Sequence, residues 1–126
     1  MIRLDTNYIL RYLLNDNEKM AVEAEKVILN NVVFVANEVM AEVVYVLEGV
    51  YELGREEISS VLITFLQAHT IEAVDKYSLV KGLEIYANRS LDFVDCLLCA
   101  YATVDEVMTF DKKLKKCLVQ NAEEKC

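Results

Sequence analysis

The sequence predicts an α/β fold of three layers, α/β/α, around a short central parallel sheet. Three observations carry this expectation. Short apolar runs alternate with longer segments of helical periodicity, the pattern of βα units joined by right-handed crossovers. The run Val32-Val-Phe-Val35 is apolar throughout, as in a strand buried on both faces. The 126 residues, 55% hydrophobic and 27% charged, suit one globular domain with a single core. That domain is expected to span residues 1–126.

Met1 to Leu4 forms a β-prone run that stops at Asp5. From Thr6 the pattern is helical, with Ile9, Leu10, Leu13 and Leu14 on one face, and Asn15-Asp16-Asn17 breaks it. Glu18 to Leu29 is a second helix, with Met20, Val22, Ala24, Val27 and Ile28 as its apolar positions. The strand at 32–35 follows. Asn37 is expected to cap a long helix running to about Glu52, with Val39, Val43, Val46, Leu47 and Val50 inward. After Gly54, Arg55 to Ala68 is helical around Ile58, Val61, Leu62, Phe65 and Leu66. Thr70 to Val74 is a strand, and Asp75 caps a helix reaching about Arg89. Asp92 to Thr103 is helical, Glu106 to Phe110 is a strand, and Asp111 opens a basic segment ending near Val119. With no proline and only three glycines, the loops must be short.

No apolar run approaches the roughly 20 residues that span a bilayer, and the N-terminus lacks the basic start and apolar stretch of a secretory leader. A cytoplasmic protein without membrane contact is therefore expected. In that compartment Cys96, Cys99, Cys117 and Cys126 are not expected to form a disulfide framework. Cys96 and Cys99 have CxxC spacing, but they fall in the apolar helix Phe93-Val-Asp-Cys-Leu-Leu-Cys-Ala-Tyr. There, cysteine packs as a small hydrophobe. A net charge of -8 argues against broad electrostatic affinity for nucleic acid. It leaves room for a nuclease whose acids gather round a cation, because a bound metal reverses the local sign.

The acids are placed suggestively. Asp5 closes the first strand, and Asp111 directly follows the apolar run Val107-Met-Thr-Phe110. Glu42 interrupts the apolar stretch Val39-Met-Ala-Glu-Val-Val-Tyr-Val-Leu47, and Asp95 interrupts Leu91-Asp-Phe-Val-Asp-Cys-Leu-Leu98. Carboxylates on apolar faces are costly without a partner, and no lysine or arginine is placed to pair with them. In parallel sheets the ligand site lies beyond the carboxyl ends of the strands, where Asp5 and Asp111 are delivered. Oxygen ligands of this kind suit Mg²⁺ or Mn²⁺, which polarise phosphodiesters and activate water. Each acid also has a plainer use: Asp5, Asp92 and Asp111 as helix caps, Asp95 as a first-turn charge, Glu42 on a solvated stripe with Glu38. Asp92 is read first as an N-cap and only second as a ligand. Arg11 and the cluster Lys112, Lys113, Lys115 and Lys116 are either solvated charge or a means of steering phosphate. The lone histidine, His69, assembles no nucleophilic triad.

Taken in order, these segments resemble the PIN domains, most closely the VapC-like ribonuclease toxins. Leu4-Asp-Thr-Asn-Tyr-Ile-Leu-Arg-Tyr-Leu-Leu14 is similar to the family's first motif, its acid at Asp5 and its Thr-Asn pair at Thr6 and Asn7. Asn37-Glu-Val-Met-Ala-Glu-Val-Val-Tyr-Val-Leu47 resembles the second, with the glutamate at Glu42. Asp92-Phe-Val-Asp-Cys-Leu-Leu-Cys-Ala100 resembles the third, with Asp95, and Cys96 stands where alanine is usual. Thr109-Phe-Asp-Lys-Lys-Leu114 resembles the fourth, with Asp111. The resemblance implies a PIN-like α/β/α domain and Mg²⁺- or Mn²⁺-dependent RNA cleavage with Asp5, Glu42, Asp95 and Asp111 as catalytic metal ligands. It further implies homodimerisation and a cognate antitoxin protein.

Other classes fit less well. A phosphoacceptor signalling domain needs an acidic pair after the first strand, and Asp5 has no acidic neighbour. An aspartyl-nucleophile hydrolase with an Asp-x-Asp motif would need an acid where Asn7 stands. A housekeeping PIN nuclease of RNA processing and an inactive PIN-like interaction module remain as alternatives, the latter expected to have lost one of the acids.

Overall fold

The computed structural model describes residues 1–125, with side chains through Asn121. Three two-residue strands, β1 (Ile2–Arg3), β2 (Val33–Phe34) and β3 (Ile71–Glu72), form a parallel sheet in the order β1-β2-β3. Its register sets Ile2 against Val33 and Val33 against Ile71. Bonds just outside the ladder extend it, with Leu4 N–H donating to the Phe34 carbonyl (3.2 Å) and Val35 N–H to Glu72 (2.9 Å). Val33, Val35 and Ile71 are fully buried, as expected of strands covered on both faces.

Among the described residues seven helices surround the sheet: α1 (Thr6–Leu14), α2 (Glu18–Asn30), α3 (Asn37–Gly49), α4 (Arg55–Leu66), α5 (Lys76–Asn88), α6 (Phe93–Tyr101) and α7 (Lys112–Lys125). Several of their starts are set by side-chain oxygens that satisfy otherwise orphaned N–H groups. Asp5, Asn17, Asp75 and Asp92 accept from Tyr8, Met20, Ser78 and Asp95 respectively. α1 ends at Asn15, which takes the left-handed conformation (φ 53°) that asparagine tolerates. One core joins the layers, from Leu4 and Ile9 through Val43, Leu47, Leu62 and Leu83 to Phe93 and Leu114. α5 and α6 approach closely at Gly82, where a Cβ would lie 3.3 Å from the Leu97 Cα. The small residue there permits the contact.

Several expectations are corrected. The α3 cap is Ala36, without a side-chain bond, and Asn37 is the first helical residue. Its amide instead donates to the Tyr101 hydroxyl at 2.7 Å, because a tertiary partner outcompetes the local turn. α3 stops at Gly49 rather than near Glu52, which has φ 55° and reverses the chain. Val50 therefore falls outside the helix and is 70% exposed. Met20 and Val22 also face solvent, and Ala21, Ala24 and Ile28 carry the buried stripe of α2.

Residues 106–110, expected as a strand, have no regular structure and make no backbone hydrogen bond to β1. They keep a strand's alternation, with Val107 and Thr109 half-buried and Met108 and Phe110 83% and 99% exposed. Alternation alone makes no strand, which also needs a ladder partner.

Cys99 and Cys117 form a disulfide between α6 and α7, with a Cα–Cα separation of 6.2 Å. This overturns the expectation that the cysteines stay unpaired. Cys99 and Cys117 both face the α6–α7 interface, a juxtaposition that compartment arguments cannot see. Cys96 is free and buried, as expected, and Cys126 lies outside the described residues.

A candidate acidic metal centre

Asp5 follows β1 at the start of α1, with one carboxylate oxygen accepting from Tyr8 N–H at 2.8 Å. The cap uses one oxygen and leaves the other for a ligand. Asp5, Thr6 and Asn7 line an open hollow with Glu38, Val39 and Glu42 of α3. Glu38 and Glu42 are one helical turn apart, so both carboxylates reach the same hollow.

The second group lies where α6 and α7 begin. Asp92 caps α6 by accepting from Asp95 N–H (3.0 Å). Asp111 caps α7 by accepting from Leu114 N–H (2.9 Å), while its own N–H donates to Thr109 Oγ1 (3.1 Å). Asp95 stands between them, half-buried in the first turn of α6. Burial raises its pKa above the usual carboxylate value, and the charges of Asp92 and Asp111 raise it further. Asp95 and Asp111, 16 positions apart in the chain, therefore act within one electrostatic field.

Tyr45 of α3 lies close to the second group. Its phenol is pushed up by burial, then by the charge of Asp92, while the Val94 backbone opposes the shift. Asn37 at the start of α3 meets Tyr101 at the end of α6, and Tyr45 meets the start of α6. The two helices therefore run antiparallel, and the stretch carrying Glu42 lies alongside α6. Tyr45 escaped the sequence reading, although it follows Glu42 by three residues and so shares its face. The Asn37 Oδ1 atom is buried without a hydrogen-bond partner.

Among the described residues none of these acids has a basic partner. Among the described residues the ion pairs are Arg11–Asp16 at 2.8 Å and Arg55–Glu48 at 3.9 Å. Arg11 is thus committed to Asp16 and is not free to hold phosphate as the sequence reading allowed. Lys112, Lys113, Lys115 and Lys116 are all exposed on α7. Among the described residues no three Asp, Glu, His or Cys side chains close around a single point. Mg²⁺ does not require a closed cage of side chains, since it keeps several waters and takes one or two carboxylates plus substrate phosphate. The donor set, oxygen-bearing carboxylates with no counter-charge among the described residues, is of the kind that such an ion takes.

Arg55 was also missed. It opens α4 and reaches across to the turn before Asp92, where it donates to the carbonyls of Tyr86 (2.8 Å) and Leu91. Nothing local distinguishes it from an ordinary first-turn arginine.

A short parallel sheet, flanking helices, and acids at the starts of α1, α6 and α7 with Glu42 in α3 describe an α/β domain of the PIN class. A family model, PIN domain, matches residues 2–117, and the chain belongs to that family. The matched span contains Asp5, Glu42, Asp95 and Asp111. The chain is similar to a protein of Aquifex aeolicus (strain VF5) named VapC ribonuclease, 31% identical over 126 aligned residues that cover 90% of this chain and 89% of that one. No solved structure matches it. Among the described residues no helix is long and apolar enough to cross a membrane.

Proposed function

We propose that this chain is a single-domain, Mg²⁺- or Mn²⁺-dependent endoribonuclease that hydrolyses RNA phosphodiester bonds. The observation that carries the reading is the gathering of Asp92, Asp95 and Asp111 where α6 and α7 begin, with no ion pair to any of them among the described residues. A site built from uncompensated carboxylates is set to receive a cation. Asp5, Glu42, Asp95 and Asp111 would hold it, and a bound Mg²⁺ or Mn²⁺ would supply Lewis-acid polarisation and a more acidic water.

The chain's own contribution is placement. Asp5 and Asp111 are fixed by their capping bonds, and Asp95 by the capped first turn of α6. Carboxylates fixed in this way would hold a cation, and a phosphate bound to it, at little further entropic cost. The similarity to a VapC ribonuclease supports RNA as substrate and a toxin role in the cytoplasm. In that role the chain works as a homodimer restrained by a cognate antitoxin protein.

The test is cleavage of labelled RNA with Mg²⁺, Mn²⁺ or EDTA, using the wild type and Asp5→Asn. The expected result is metal-dependent cleavage that the substitution abolishes. Full activity of Asp5→Asn in a clean preparation would overturn the site. Expression of the chain alone should arrest growth of a host strain, and Asp5→Asn should relieve the arrest. Equal arrest by both would overturn the toxin reading.

A further inference from the structure

On the side of α6 that meets α7, a groove of about 510 Å³ runs between α5 and α7, lined by Lys81, Glu84, Arg89, Lys116 and Gln120. That is the size range of a small-ligand cleft. Cys99 and Cys117 also line it, and since both are buried their disulfide forms its floor. Asn121 donates to the Cys99 carbonyl at 2.9 Å and ties α7 down a second time. The groove is thus a fixed feature, pinned by a covalent and a hydrogen bond.

Its charge is out of keeping with the rest of the molecule. The chain carries a net charge of -8, yet eight of its thirteen lysines and arginines lie on α5, the α5 C-cap or α7. Elsewhere the arginines are committed: Arg11 to Asp16, Arg55 to Glu48 and the carbonyls before α6, and Arg3 over the Phe34 ring. Lys81, Arg89 and Lys116 make no ion pair among the described residues, and Glu84 is the one carboxylate in the lining. Both walls lead to the acidic site, since Arg89 stands three residues before Asp92 and Lys116 five after Asp111.

Resting on the ribonuclease reading above, we propose that this groove is the track for the sugar-phosphate backbone of single-stranded RNA, with Lys81, Arg89 and Lys116 holding phosphates that flank the reacting one. The hollow at Asp5, Glu38 and Glu42 is too acidic to hold an RNA strand without its metal. Nucleotides away from the metal need cations, and the α5–α7 groove supplies them next to the site. A backbone track lined by lysine and arginine binds through released counterions, so its contribution can be read from salt dependence.

The experiment measures binding of a fluorescent single-stranded RNA by anisotropy from low to moderate salt. All proteins carry Asp5→Asn to prevent cleavage. Adding Lys81→Ala, Arg89→Ala and Lys116→Ala should lower the slope of log K against log salt by about 2, at about 0.7 per phosphate contact on a single strand. Affinity at low salt should fall by at least roughly tenfold. The Lys19→Ala/Lys26→Ala pair on α2 should leave the slope unchanged. Should the triple variant misfold by circular dichroism, Lys81→Gln/Lys116→Gln should still lower the slope by about 1.4. An unchanged slope, or an equal loss in the α2 variant, overturns the track while the wild type still cleaves RNA. A chain that neither binds nor cleaves RNA overturns the ribonuclease reading and the track together.

Discussion

The guanidinium of Arg55 donates to the carbonyl of Leu91, the residue immediately before Asp92, across 36 positions of the chain. The same group donates to the Tyr86 carbonyl and stacks over the Tyr86 ring with 3.8 Å to its centroid. Tyr86 in turn donates its hydroxyl to Glu48. The turn that presents Asp92 and Asp95 is therefore braced from α3 and α4 as well as from its own helices.

Replacing Arg55 by methionine removes the two charge-assisted bonds to the Tyr86 and Leu91 carbonyls and the ion pair with Glu48. We expect a loss of about 3 kcal/mol, measured by urea unfolding. Arg55→Lys should recover less than half of it, since an ammonium cannot reproduce the planar fork or the stacking. Full recovery by lysine would show that charge alone matters.

Asp5 has two separable roles. Asn caps a helix as well as Asp does, so Asp5→Asn should unfold within about 0.5 kcal/mol of wild type while losing activity. Asp5→Ala removes the bond to Tyr8 N–H and should cost about 1 kcal/mol besides. Equal stability of the two variants would remove the capping role.

The raised pKa of Asp95 has a defined consequence for stability. Its folded pKa exceeds the unfolded value, so between the two the native state binds more protons. Its contribution to stability is therefore greatest at low pH and falls as pH rises through that window. At neutral pH the ionised group destabilises the metal-free fold. Asp95→Asn should raise the Tm of metal-free protein at pH 7 and shrink the gain at acidic pH. Mn²⁺ should stabilise the wild type more than this variant. A lower Tm for Asp95→Asn at pH 7 would contradict the burial and repulsion that raise the pKa.

The Cys99–Cys117 bond closes a loop of 18 residues that carries Asp111. Cross-links of this size contribute about 3 kcal/mol, so Cys117→Ser, or reduction of the wild type, should lower stability by about that amount. The variant should be insensitive to dithiothreitol. If reduction leaves the wild-type unfolding midpoint unchanged, the bond does not tie α7 to α6 in solution.

Sequence and tertiary structure divide the explanation of this protein. Helix starts at Asp75 and Asp92 were legible because capping is a local bond between a side chain and the N–H three residues on. The strand at Val33 was legible from an unbroken apolar run, Glu42 and Asp95 stood out as charges within apolar stretches, and Asp5 and Asp111 as acids that close apolar runs. All of that depends on short-range geometry and burial, which periodicity encodes. The fate of residues 106–110, the bond from Asn37 to Tyr101, the bracing of Leu91 by Arg55 and the union of Cys99 with Cys117 depend instead on which surfaces meet. Their partners lie 18 to 64 positions away where they have one, and only packing of the whole chain selects them. The acidic centre falls on both sides of that line. Its residues were marked by the sequence, but it took the fold to set Asp111 beside Asp95, with no ion pair to either among the described residues.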